Sequence, residues 1–142
     1  MEAKSFLGGR ATIKSLLVTD RPADRAEICA RLSSPRGELA VLTDGSTPIR
    51  HLCYVELRKG MVRGNHFHKL RHEYFYVIAG NLAVELHDIS TRESASVELR
   101  EGDMLLIKPG VAHALNPLND GHALEYAAES FDLADVYPHV LI

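Results

Sequence analysis

From Leu39 onward the chain runs as short apolar or alternating segments separated by turn residues, with no stretch of helical period long enough to interrupt them. Such segments occupy 39–43, 51–57, 62–68, 73–79, 82–88, 94–99, 104–107, 112–116 and 122–130. Tyr74-Phe75-Tyr76-Val77-Ile78-Ala79 is aromatic and β-branched and stops at Gly80, as a strand does before a turn. Asp44-Gly45, Lys59-Gly60, Gly80-Asn81 and Asn119-Asp120-Gly121 supply the turn chemistry between segments. Short strands at this spacing predict an all-β unit, closed or sandwiched. One helix is expected ahead of it, over 22–33. There Pro22 suits the first turn, acidic residues come early, and Pro35-Arg36-Gly37 breaks the chain afterwards.

Within this pattern lie four residues whose chemistry goes beyond packing. His66 and His68 stand two apart on a predicted strand and so share one face. Glu73 opens the next strand, and His113 follows the Pro109-Gly110 turn. Three imidazoles and one carboxylate converging on a point make a mixed nitrogen and oxygen shell suited to Zn, Fe, Mn, Ni or Cu. Alternation from these residues points Phe75 and Val77 inward, with Phe75 a wall of any substrate cavity, and turns Tyr74 and Tyr76 outward. The same rule counted back from His66 turns Arg63 outward.

The spacing Gly60, His66, His68, Glu73, Gly80 resembles the first motif of the cupin superfamily at every fixed position. Gly102, Gly110 and His113 resemble the second motif, although Lys108 stands where a proline is usual and Asn116 arrives one residue early. The resemblance spans roughly 60–114 and implies a double-stranded β-helix, or jelly-roll barrel. It also implies one divalent transition metal on His66, His68, Glu73 and His113. On this reading 1–142 is a single domain with an N-terminal extension 1–36, a barrel over about 37–131 and a C-terminal tail 132–142.

Arg63-Gly64-Asn65-His66, together with the stretches 36–42 and 48–54, further resembles the nucleotide-sugar branch of that superfamily, the 3,5-epimerases and 3,4-ketoisomerases. That resemblance implies Arg63 beside the phosphates of a small-molecule substrate and His66 as a base. A neutral imidazole suits removal of a proton alpha to a ketone, and a guanidinium suits a diphosphate. The branch generally lacks the full metal shell, and Glu73 stands near where its members carry lysine or glutamine. If His66 holds metal, the base must be a metal-bound hydroxide or another group, such as His51 or His72.

Three functions follow from this pattern. The first is a sugar or nucleotide-sugar isomerase or epimerase. The second is an Fe(II)-dependent dioxygenase using the same shell, and the third a non-catalytic small-ligand barrel. The net charge of −3, without a basic stripe, argues against nucleic acid. No apolar run reaches membrane length, and the first ten residues lack a signal peptide's hydrophobic region, so no membrane partner and a cytoplasmic location are expected. Cys29 and Cys53 then read as reduced core thiols. Tyr54, Tyr74 and Tyr76 on an outer sheet face predict a homodimer.

Overall fold

Strands follow one another along the computed structural model, which describes residues 2–15, 18–19, 30–43 and 45–142. They are β1 (Glu2–Phe6), β2 (Ala11–Ser15), β3 (Val18–Thr19), β4 (Ala30–Ser34), β5 (Gly37–Val41), β6 (His51–Leu57) and β7 (Arg63–Phe67). The remainder are β8 (Glu73–Ala79), β9 (Leu82–Asp88), β10 (Ser94–Leu99), β11 (Asp103–Ile107), β12 (Val111–Pro117), β13 (Gly121–Ala127) and β14 (Tyr137–Pro138). Every strand expected from 39 onward is found, most within a residue of its predicted bounds.

The strands form a six-stranded sheet, β1-β2-β11-β8-β13-β6, and a five-stranded sheet, β10-β9-β12-β7-β14, both antiparallel. Their inner faces enclose one core that includes Val55, Leu57, Phe75, Val77, Leu82, Val84, Leu105 and Leu115. This is the cupin-type jelly roll. Burial of each such aliphatic side chain contributes about 1.5–3 kcal/mol. A small third sheet holds β3, β4 and β5.

Two expectations change at the N-terminal side. Residues 22–29 of the predicted helix lie outside the described residues, and 30–33 belong to strand β4. Pairing with β5, register Ala30↔Val41 to Ser34↔Gly37, overrides the local helical preference there. Residues 2–15 are no mere extension. They form a hairpin whose second strand pairs with β11, and Ala11 and Ile13 enter the core.

The inner face matches alternation for Phe75 and Val77, which are buried. On the outer face Tyr76 is buried too, packed with Met104 and Tyr126, and Tyr74 stacks on Tyr126 at 4.8 Å. Tyr126 donates to the Leu42 carbonyl (3.2 Å). The chain thus covers part of the aromatic face expected to pair subunits, and Tyr54 is the member that stays open, beside His122. No helix among the described residues is long and apolar enough to cross a membrane.

Candidate metal centre and active site

The first residue of the predicted shell comes from β7, the second from the position just after it, the third from the start of β8 and the fourth from β12. His66 pairs with His113 across β7 and β12, so the two rings share a face, 4.9 Å apart. One ligand atom from each of His66, His68, Glu73 and His113 fits within 4.8 Å of the others. Glu73 Oε2 lies 2.8 Å from His113 Nε2, and Oε1 lies 3.3 Å from His68 Nε2. The structure therefore brings together all four predicted residues.

The outward-facing nitrogens are tied down. His68 Nδ1–H donates to the Asp135 carbonyl (2.7 Å), and His113 Nδ1–H donates to the Val111 carbonyl (3.1 Å). Each bond fixes the ring and leaves Nε2 as the lone pair facing the cluster, as metal-bound histidines are held. Nε2 of His68 is buried without a hydrogen bond. A buried acceptor with no donor, beside a carboxylate and two further imidazoles, fits a cation, and the four residues suit a divalent transition metal.

Charge follows the same geometry. Burial, with His113 nearby, lowers the pKa of His66 to about 4, so its imidazole is neutral. Burial works against the charged forms of His68 and His113, but Glu73 outweighs it and raises both. Burial likewise opposes ionisation of Glu73, yet His113 and His68 hold it well below the usual range.

Arg63 corrects the alternation argument. His113 pairs with His66 but Ala114 pairs with Gly64, so Asn65 is an extra residue, a β-bulge. Arg63 then pairs with Leu115, a core residue, and both face inward. The bulge requires Gly64. Its φ is +89°, and a Cβ there would lie 2.6 Å from the His113 carbonyl oxygen. Asn65, at φ +57°, is held by the C-terminal segment: its Oδ1 accepts from Leu141 N and its carbonyl accepts from His139 N, both at 2.8 Å. Arg63 sits at the rim, where Nη2 donates to the Glu56 carbonyl (3.0 Å).

Two cavities meet at His66, Glu73 and Glu125. One, of about 150 Å³, is lined by Arg63, Phe75, Leu115 and His113 among others. The second, of about 300 Å³, adds His51, His68, Arg71 and Phe131. Of the proposed alternative bases, His51 lines the second cavity. His72 lines neither: Nδ1 engages Glu129 (3.0 Å), because it alternates with the inward Arg71 and Glu73.

Three site residues carry no motif. Arg71 is buried, 3.3 Å from Glu125 and 3.7 Å from Glu73. Burial and the adjacent Glu73 push Glu125 up to about 7. Asp135 accepts from the backbone N–H groups of Lys69, Leu70 and Arg71 (2.8, 3.2 and 3.2 Å), which fixes the loop between His68 and Glu73. Glu125 was open to discovery, as an acid on a strand face otherwise read as Ala123 and Ala127. Contacts between residues 64 or more apart, such as those of Asp135, leave no trace in spacing.

The model of one protein family, described as the polysaccharide biosynthesis C-terminal domain, matches residues 35–135. The chain belongs to this family. Solved structures place members of the nucleotide-sugar branch on the same fold. An epimerase from Mycobacterium tuberculosis superposes with a TM-score of 0.74 at 18% identity, covering 97% of this chain and 72% of the other. A 3,4-ketoisomerase from Thermoanaerobacterium thermosaccharolyticum, in complex with TDP, gives 0.67 at 20%, covering 89% and 86%. A dTDP-4-dehydrorhamnose 3,5-epimerase from Sulfolobus tokodaii gives 0.71 at 17%, covering 95% and 79%. Among curated proteins, a 3-hydroxyanthranilate 3,4-dioxygenase from Brucella anthropi is 40% identical over 42 residues, 30% of this chain. The match spans about a quarter of that relative's length, 23%.

Proposed function

We propose that this family member is a metal-binding isomerase or epimerase acting on the carbonyl of a sugar or nucleotide sugar. The observation that carries the reading is the bulge at Gly64-Asn65, which brings Arg63 onto the inner face with His66. A guanidinium at the rim and neutral imidazoles below suit a substrate with an anionic end and a reacting carbonyl. The fold shared with a dTDP-4-dehydrorhamnose 3,5-epimerase and with a sugar 3,4-ketoisomerase that binds TDP supports the same reading.

Cavity size divides the substrate. About 300 Å³ is at the small end of ligand sites and suits a sugar ring, so a nucleotide must reach beyond it, through the adjoining cavity of about 150 Å³ that Arg63 lines. Phe75 is an apolar wall of that adjoining cavity, next to the shared His66 and Glu73. His51 and Glu125 line the cavity and can take and return the proton next to the carbonyl. A divalent ion on His66, His68, Glu73 and His113 would supply positive charge for the oxyanion that forms as this proton leaves.

Exchange of the ketosugar's alpha proton with deuterated water tests the activity, and elemental analysis tests the metal. The expected results are exchange on a dTDP- or UDP-ketosugar and one transition metal per chain, whose removal by chelator lowers the thermal midpoint. Arg63→Ala should weaken nucleotide-sugar binding by about 1.5–3 kcal/mol, roughly ten- to a hundredfold. No exchange on any such sugar overturns the isomerase. Oxygen uptake on a phenolic substrate would then favour the dioxygenase reading, which the 42-residue similarity and the complete three-histidine, one-glutamate cluster support.

A further inference from the structure

Strand β6 repeats, on the opposite wall, the i, i+2 spacing of His66 and His68 on and just after β7. His51 and Cys53 stand two apart on its inner face, ahead of the buried Val55 and Leu57. Glu125 is the cross-strand partner of Cys53. One ligand atom from each of His51, Cys53 and Glu125 fits within 4.8 Å of the others. Cys53 Sγ lies 3.6 Å from Glu125 Oε2. That matches the edge of a tetrahedron with metal–sulfur and metal–oxygen bonds of about 2.3 and 2.0 Å, whose edge is about 3.5 Å.

We propose that His51, Cys53 and Glu125 form a second metal site, for a thiophilic divalent ion such as Zn²⁺, beside the His66, His68, Glu73 and His113 centre. The donor set is imidazole, thiolate and carboxylate, all zinc ligands, with a fourth position open toward the cavity that His51 and Glu125 line. Thiolate distinguishes it from the first centre, which has none, and gives it the softer preference. Arg71 orients the carboxylate: Nη2 holds Glu125 Oε1, and Oε2 is left toward Cys53. The site does not depend on the isomerase reading. Under that reading an ion here would engage His51 and Glu125 and block proton transfer, so excess zinc would inhibit.

Cobalt(II) titration separates the two centres, because only a thiolate gives an intense near-ultraviolet sulfur-to-cobalt charge-transfer band. The titration uses the full chain carrying Cys29→Ser, which removes the other thiol. The band should appear within two equivalents, vanish in Cys53→Ser, weaken by more than tenfold in affinity in Glu125→Gln, and grow to one equivalent in a His68→Ala, His113→Ala variant, whose first centre no longer competes. A band persisting in that last variant upholds the second site even if the first binds nothing. Absence of the band, or its survival in Cys53→Ser, overturns the proposal. Alkylation of Cys53 in the otherwise unaltered protein is a second measure that needs no ligand variant: Zn²⁺ should protect the thiol, and unchanged alkylation at saturating Zn²⁺ counts equally against the site.

Discussion

The inner face of the six-stranded sheet changes character along its length. One row holds the pair His51 and Ala127 on β6 and β13 and the run Glu73, Ile107, Ala11 on β8, β11 and β2, and the next reads Cys53, Glu125, Phe75, Leu105, Ile13. The row after that is Val55, Ala123, Val77, and Leu57 closes the far end. Polar groups occupy the first two rows on β6, β13 and β8, while β11 and β2 are apolar in those rows and turn polar only at their ends, where Ser15 donates to Asp103. The far end excludes water by aliphatic packing. At the near end each buried charge needs a partner, and Arg71 between Glu73 and Glu125 is the cation that makes two adjacent carboxylates tolerable. Stability and chemistry thus share one sheet, separated by a distance of two residues along each strand.

This contrast predicts how each end fails. Arg71→Met should be the costliest change, about 3–5 kcal/mol, because it removes the guanidinium between Glu73 and Glu125 and leaves Glu125 with no cationic partner. Leu105→Ala, at a fully buried position, should cost about 2–5 kcal/mol in a denaturant melt but leave metal affinity unchanged in the folded fraction. If Leu105→Ala loosened metal as much as Arg71→Met did, the two ends would not be separable. Asp135→Ala should cost less, about 1–3 kcal/mol, for three backbone N–H donors left without the carboxylate that accepts from them. Its larger signature is metal affinity, down roughly 10–100-fold as for other groups that orient ligands. An affinity equal to that of the unaltered chain would show that the loop holds itself.

How far the sequence disclosed this division depends on the range of the contacts. Strand bounds, the inward Phe75 and Val77, and the four clustered residues all follow from period-two alternation and motif spacing, which act over a few residues. Arg63 escaped that rule because one bulge residue inverts the count, and Gly64 inside a strand was the available sign of it. The strand at 30–34 was hidden because β4 owes its form to pairing rather than propensity. Arg71, Glu125 and Asp135 matter through partners brought close by the fold. The i, i+2 pair His51 and Cys53 was visible, but its third member stands 72 residues beyond Cys53.

Asp88 provides the smallest test, because it is a buried acid on the inner face outside the reacting cluster. It ends β9, whose inner residues Leu82, Val84 and Leu86 are aliphatic. Burial raises its pKa, but the Ser90 hydroxyl and N–H, the Thr91 N–H and Arg10 outweigh it, and the net shift is downward. The unfolded chain therefore takes up this proton at a higher pH than the folded chain, near pH 4. Stabilisation by Asp88 is fully present above that pH and is lost as pH falls through the lower folded value. Asp88→Asn should be less stable than the unaltered chain at pH 7, and the gap should shrink as denaturant midpoints are followed below pH 4. A gap that stayed constant to pH 3 would mean that Asp88 acts by shape and hydrogen bonding alone, and that charge on the inner face matters only within the cluster of rows one and two.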